Sequence, residues 1–548
     1  MSCNSTGGIE GVEGLKKKNL GPVSIAFLIY CLAAAGAFGI EEMIPVSGPG
    51  LTLLMLLIFA FIWSYPICNI VAETGSLLPS EGGLYISVQK AFGEFWGFQN
   101  GWWLTIAFYL SSATFVSIIG GYTAQLLSLD ETGTQLVKLA VVIIFTIVNL
   151  LGLKEVSIIS NILSVAILTA FALVCIVGLA NWQHNPVQPF IPEETGLLEA
   201  IGNSICICVW MYSGYECIAN IAGEVTDPQV IPRGLKIALP VIAVSYILPT
   251  LAGLASVGPW DTWSLEFNQE GSVGYATVLQ QYIGPVAGYA FLVIAIISQC
   301  AIFNTYIASG SRGFFVMADD NLFPKGFVKV SKKRGIPYIG VISIALVSLL
   351  STQFDFNFLA ITTTVFLLAV YILSALAVLK LRKKYPIENR KGLYIIPGGK
   401  VGLYFCVFLV VGLSMFSFVI NGTDYLLIGL IGMLSGPVIY IVCKIKYKGL
   451  TLKEPDEYKI NPATRLAAGD MQRISLFIVF LGLIAFIAQF FIRLYEGSWG
   501  AEYYLETWGS GLLSNFELML NILVYGGAAF IIAGWISYRI FKKKDPVI

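Results

Sequence analysis

Gly39-Ile40-Glu41 and Gly214-Tyr215-Glu216 are one three-residue design written twice, each in the middle of a long apolar segment. Small residues precede both: Ala34-Ala35-Gly36-Ala37 in the first and Ser213 in the second. Glycine lets a helix unwind, and an acid in mid-membrane costs about 2.5–3.5 kcal/mol on insertion scales. The chemistry such a pair offers is charge recognition. Freed backbone groups and a carboxylate at each break can hold an ammonium group or carry a proton. Two breaks in corresponding positions of two halves point to a secondary transporter with discontinuous helices around a central site.

The residues around each break divide by role. Gly36, Gly39 and Gly214 are the backbone breaks, with helix packing as their alternative role, and Ala37 and Ser213 of the small-residue patches beside them join the candidate substrate-binding set. Glu41 and Glu42 open the outer half of the first helix. Adjacent helical residues diverge by about 100°, so the two do not face a substrate equally, and Glu41 is the one that matches Glu216. The plainer role of all three acids is to complement a positive helix N-terminus, worth about 0.3–1 kcal/mol. Trp210 and Tyr212 precede the second break, and Phe38 and Tyr215 flank the two glycines. They are either packing or an aromatic cage that attracts an amine by cation–π contact, about 2 kcal/mol when desolvated. Trp210 is the strongest of these.

Composition says what must position these residues. Of 548 residues, 57% are apolar and only 12% charged, with a mean hydropathy of +0.79, which marks a polytopic membrane protein. Spans are expected near 22–46, 50–72, 97–129, 135–153, 157–181, 199–223, 235–258, 283–311, 338–354, 356–380, 401–420, 425–446, 473–495 and 515–541. All Lys and Arg except Lys138 and Arg493 fall in the tails, in alternate loops or at their helix ends. The positive-inside rule then puts both termini in the cytoplasm, and no basic residue is expected deep in the membrane. Lys16-Lys17-Lys18, the apolar run after it and Ala33-Ala34-Ala35 imitate a signal peptide. Cleavage there would remove half of a broken helix, so the run is expected to stay.

Domain organisation follows from the spans. Residues 1–21 form a cytoplasmic tail, and 22–446 a twelve-helix transporter core with an inverted repeat of five helices, 22–181 and 199–380. Residues 447–472, with Glu454-Pro455-Asp456-Glu457, read as a cytoplasmic linker. Residues 473–548 hold two further spans and a basic tail. An odd number of helices per half inverts the second half, so the two breaks meet near the midplane.

Other function classes find little support. The ten cysteines lack metal-like spacing, and Cys206 and Cys208 sit about 200° apart on a helix. His184 is the only histidine and lies in a loop. No nucleophile, metal or acid–base set converges, so neither an enzyme, a metal site nor a cofactor is expected. Nor is a nucleic-acid partner. The Asn4-Ser5-Thr6 and Asn421-Gly422-Thr423 glycosylation patterns are taken as chance. Glu73, Glu81 and Glu224 are expected to pair with Arg233 and Arg312 as an inner gate or clasp. Ser298, Thr305 and Ser309 could line a sodium site, although such hydroxyls more often bond to backbone.

Several segments together resemble the amino acid–polyamine–organocation superfamily, nearest its polyamine uptake transporters and their bacterial relatives. They are Gly36 through Glu42, Phe61-Ile62-Trp63-Ser64-Tyr65-Pro66, Ala72-Glu73 through Pro79, Glu81-Gly82-Gly83 with Tyr85, and Phe95 through Gln99. Ala222-Gly223-Glu224-Val225, Ser311-Arg312, Met317-Ala318 and Leu322-Phe323-Pro324 complete the set. The resemblance spans roughly 20–447 and implies an all-α fold of two inverted five-helix repeats with alternating access. Helices 1, 2, 6 and 7 are then expected to rock against the rest. Trp210, Gly214 and Glu216 are also spaced like the Trp…Gly-x-Glu of bacterial arginine/agmatine exchangers, which implies a tryptophan lid and a transport glutamate. The fifth helix lacks the lysine that some amino acid carriers of the superfamily place there, so their mechanism does not carry over.

The expectation is a plasma-membrane permease for amine-bearing solutes, amino acids or polyamines, bound at the two breaks, with a coupling proton or exchange. A neutral amino acid carrier with one glutamate protonated stays open, as does a transporter-like sensor. Sodium coupling and oligomeric state stay open too.

Overall fold

The computed structural model describes residues 21–33, 36–80, 82–151, 156–220, 225–227, 229–264, 273–331 and 335–545. Residues 1–20, Ala34-Ala35, Glu81 and Glu224 fall outside them. Helix dominates, as it must where lipid cannot satisfy backbone polar groups, and only two isolated β-bridges occur among the described residues. The helices in chain order are α1 (Pro22–Ala33), α2 (Met43–Ser47), α3 (Pro49–Leu77), α4 (Gly83–Phe92), α5 (Glu94–Leu127), α6 (Glu131–Leu151) and α7 (Val156–Ala180). They continue with α8 (Leu197–Met211), α9 (Glu216–Asn220), α10 (Val230–Ser256), α11 (Tyr275–Tyr282), α12 (Pro285–Asp319), α13 (Tyr338–Ser351) and α14 (Phe356–Lys384). Last come α15 (Gly399–Ile420), α16 (Thr423–Tyr447), α17 (Asp470–Tyr495), α18 (Gly500–Trp508) and α19 (Phe516–Lys544).

Twelve helical spans among the described residues, with α8 and α9 counted together as Leu197–Ala219, are long and apolar enough to cross a membrane, and α1 and α13 are shorter apolar helices. Those two account for the remaining expected spans. The first is short because residues 36–42 interrupt it before α2 resumes. The second interruption, Tyr212–Tyr215, separates α8 from α9. Hydropathy underestimates two C-terminal helix ends: α12 runs to Asp319 and α3 to Leu77, because the backbone ladder continues after the apolar pattern stops. The helices α4, α11 and α18 escaped the sequence reading, being too short to register as spans. α3 also contains a π-helical turn, Ala60–Ser64, of the kind often found at functional sites.

The segment 447–472 lies folded against the bundle as a strap. Lys453 Nζ reaches Asp319 Oδ2 at 2.6 Å and Asp320 Oδ1 at 3.0 Å, at the end of α12. Lys90 of α4 pairs with Glu454 at 3.0 Å. Deeper in, the fully buried Lys444 Nζ lies 2.6 Å from Glu94 Oε2, and Leu450 N–H donates to Glu94 Oε1 at 3.0 Å. Asp470, the first residue of α17, accepts from Ala467 N–H, Arg473 and the Tyr440 hydroxyl. A polar stretch thus becomes an ordered connection because buried charges demand partners. Beyond it α17 and α19 pack on each other and on α15, α16 and α5.

Candidate functional site

Both breaks are built on glycines that no other residue replaces without strain. Gly36, Gly39 and Gly214 have φ of 113°, 98° and 97°. A Cβ on Gly39 would lie 2.6 Å from the Phe356 ring, and one on Gly36 2.4 Å from Phe171. At Gly214 it would lie 2.9 Å from Ala33 Cα and 3.0 Å from Leu32 O. The second break therefore rests directly on the last turn of α1, and the two interruptions meet.

The repeated Gly-x-Glu design closes in the same way at both places. Gly39 N–H donates to Glu41 Oε2 at 3.0 Å, and Gly214 N–H donates to Glu216 Oε2 at 3.1 Å. Each carboxylate then receives a tyrosine from another helix. Tyr122 of α5 donates to Glu41 Oε1 at 2.8 Å, and Tyr371 of α14 donates to Glu216 Oε2 at 2.7 Å. Both acids are buried. The buried ion pairs among the described residues lie elsewhere, at Glu73, Glu94 and Asp470. An amide at a helix break favours negative charge, and here the chain's own carboxylates occupy that position.

The other expected site residues separate. Trp210 and Ser213 border a cavity of about 10 Å³ beside the breaks, with Leu32, Phe115, Tyr246 and Tyr306. That is room for about one water. Trp210 stands edge-on to Phe356 at 5.2 Å and tilted to Phe115 at 5.7 Å. The Ser213 hydroxyl donates to Trp210 O at 2.6 Å, capping a carbonyl that the break frees. Phe38 packs within a ring cluster of Tyr122, Phe171 and Phe291, and Ala37 O accepts a weak turn bond from Ile40 N–H. Tyr212 turns to Leu56 O at 2.8 Å, and Tyr215 to the Ser64 hydroxyl at 2.6 Å, where the π-helical turn of α3 ends. Glu42 is half-buried and receives the Ser264 hydroxyl at 2.8 Å, in the loop after α10.

Sequence reasoning missed the groups that hold the breaks. Tyr246 of α10 donates to Met211 O at 2.8 Å and lies 3.4 Å from Ala33 O, so one hydroxyl bridges the ends of α1 and α8. Tyr122 and Tyr371 were missed too. Their signal was present, since a tyrosine inside an apolar helix needs a partner for its hydroxyl, but nothing in the sequence says which partner. Phe115 and Tyr306, 4.8 Å apart, supply walls from α5 and α12.

Two peripheral expectations need correction or completion. Glu73 does not engage Arg233 or Arg312. It binds Arg382 at 2.6 Å, Arg390 at 2.9 Å and the Ile396 N–H at 2.9 Å, fastening α3 to the end of α14 and the loop behind it. Arginines next in space, though distant in sequence, decide the pairing. Thr305 bonds back to Ala301 O, whereas the buried Ser298 and Ser309 hydroxyls have no partner among the described residues. No group of three or more His, Cys, Asp or Glu among the described residues is placed to hold a metal.

Comparison with known proteins agrees with this architecture. The sequence profile described as "Amino acid permease" matches residues 20–442, ending within α16. A probable polyamine transporter of Arabidopsis thaliana is 26% identical over 397 residues, 71% of this chain and 76% of the relative. A second from the same plant is 28% identical over 410 residues, 73% and 80% of the two chains. A branched-chain amino acid permease of Bacillus subtilis is 26% identical over 449 residues, 76% and 92%. With two opposed helix breaks inside an all-helical bundle and a profile match over most of its length, this chain belongs to the amino acid permease family and is a membrane transporter, not an enzyme.

Proposed function

We propose that this protein is a secondary active permease of the plasma membrane whose cargo carries an ammonium group and no carboxylate, a polyamine being the best fit. One observation carries the reading: both break glycines donate their amide to an internal carboxylate, Glu41 or Glu216. The carboxylate of an amino acid seeks such an amide, and here it would meet a resident negative charge instead. An amine meets the reverse situation. Both acids are held by neutral donors alone, so an arriving ammonium supplies the missing countercharge. Trp210, Phe115 and Tyr306 add ring faces on the cavity side.

A proton and an amine compete for the same oxygens, which makes Glu216 or Glu41 the coupling group in proton-linked transport or exchange. Access then alternates as the two broken spans, α3 and α10 move against the remaining helices. Both termini face the cytoplasm in this reading, which the strap supports: its Lys453 pairs with Asp320 and its Glu454 with Lys90, at the ends that the charge pattern assigns to the inside. A second reading, carriage of a neutral amino acid, draws support from the apolar walls Leu32 and Ile302 and from the similarity to a branched-chain amino acid permease.

Proteoliposome uptake decides between them. Radiolabelled 1,4-diaminobutane, leucine and glutamate would be offered under imposed pH or sodium gradients, to wild type, Glu216→Gln and Glu41→Gln. Diamine uptake that follows the pH gradient and fails in Glu216→Gln is expected. Uptake of leucine without diamine selects the second reading. Glutamate uptake without diamine refutes the cargo assignment, and sodium-driven uptake indifferent to pH refutes proton coupling.

A further inference from the structure

A second cavity, of about 300 Å³, lies at the end of the bundle where α8, α14 and α16 begin and α17 ends. That volume falls at the lower limit of small-molecule pockets, about 300–1,000 Å³. Among the described residues three carboxyl side chains line it, Glu199, Asp424 and Glu496, and no Lys, Arg or His does. Trp499, Tyr503 and other aromatic rings from the end of α17 and from α18 complete the walls. Glu496 and the rings from Tyr495 to Tyr504 lie beyond the span matched by the family profile, whereas Glu199 and Asp424 lie within it.

The buried acids here have an incomplete set of partners. Glu496 is fully buried, and its Oε2 accepts from the Thr423 hydroxyl at 2.6 Å and the Tyr504 hydroxyl at 2.8 Å. Its Oε1 is buried with no partner among the described residues, as is Nδ2 of Asn421 in the same cavity. Asp424 accepts only from the Tyr425 N–H at 2.8 Å and the Trp508 indole at 3.0 Å. Every one of these donors is neutral. Arg493, one turn before Glu496, is directed to Gln489 and Glu517 instead. A buried carboxylate without a countercharge or a full set of hydrogen bonds is costly. Left alone the cavity favours the neutral acid, and an arriving cation finds buried acceptors to which the described residues supply no countercharge.

The acids are too dispersed for a metal ion, since no metal-holding group exists among the described residues. An alkylammonium suits better: its protons reach separated acceptors and its carbons and charge lie against ring faces. We infer that this cavity is a second binding site, distinct from the helix breaks, for a primary alkylammonium or diamine held by Glu496 and Asp424 under Trp499 and Tyr503. Its walls include Val46 of α2 and Asn203 and Cys206 of α8, the segments next to the two breaks, so an occupant touches both broken spans. The inference stands whatever the central cavity carries.

The test uses the full-length protein carrying Asn203→Cys, with modification of that thiol by N-ethylmaleimide followed by peptide mass spectrometry. The expected result is that 1,4-diaminobutane slows labelling while sodium or potassium chloride at equal ionic strength does not. Glu496→Gln should raise the diamine concentration required by about tenfold or more, and Glu216→Gln should leave it unchanged. Glu199→Gln, at a part-exposed position, should weaken protection in the same direction and serves if Glu496→Gln does not fold. Labelling indifferent to diamine overturns the inference. So does equal protection by the salts, or protection that Glu216→Gln abolishes while Glu496→Gln does not.

Discussion

Gly214→Ala isolates the contact between the two breaks. The backbone there has φ of 97°, outside the regions an alanine occupies comfortably, and holding it there costs about 1–3 kcal/mol. The added methyl would lie 2.9 Å from Ala33 Cα and 3.0 Å from Leu32 O. Both atoms are backbone at the end of α1, so no side chain can swing away. Overpacking of this kind costs about 1–3 kcal/mol more. Together the two effects displace the population of the closely apposed breaks by about 2–6 kcal/mol, more than tenfold in equilibrium terms. Gly75→Ala is the matched control. It lies within α3 at an ordinary helical φ with nothing within 4 Å of the new methyl, so it is neutral or stabilises by about 0.5–1 kcal/mol. Thermal unfolding in detergent and proteoliposome uptake would be measured side by side. A lowered unfolding temperature or at least tenfold slower uptake is expected for Gly214→Ala alone. If Gly214→Ala matches wild type in both assays, the breaks do not need that contact and the reasoning fails.

Two further outcomes follow from buried charge. Glu73→Gln leaves Arg382 and Arg390 without their carboxylate and should destabilise by about 3 kcal/mol, whereas Glu457→Gln, at an exposed 3.9 Å pair with Lys384, should change stability by less than about 1 kcal/mol; equal effects in thermal unfolding would contradict the clasp. Burial lifts the Glu496 carboxyl from 4.5 to about 7, against the hydrogen bonds from Thr423 and Tyr504 that pull it down and with the Asp424 charge pushing it up. The fold favours the neutral acid, so this contribution is full below about pH 4.5 and is lost as pH rises through about 7, up to about 3 kcal/mol. Stability measured across that window should fall with pH in wild type and flatten in Glu496→Gln, and an unchanged slope would count against it.

What the sequence determined by itself is whatever depends on one-dimensional pattern. Apolar runs long enough to span a bilayer, separated by polar turns, dictate helices because lipid offers the backbone no partners. Glycine beside an acid inside such a run marks a place where helix cannot continue cheaply, and the breaks at Gly39 and Gly214 stand where that pattern puts them. The resemblance to the superfamily came from motifs equally local. Which atoms meet was not written locally. The pattern marks Glu41 and Glu216 as acids at the breaks, but not that each bonds to its own glycine and to Tyr122 or Tyr371 from a helix far along the chain. Glu73 selects Arg382 and Arg390 because packing brings the end of α14 to α3. The strap and the Glu496 cavity exist only once α17 and α18 dock. A hydroxyl or carboxylate in an apolar helix declares that it needs a partner, and hydrogen bonds are short and directional. Its identity is therefore settled by tertiary geometry alone.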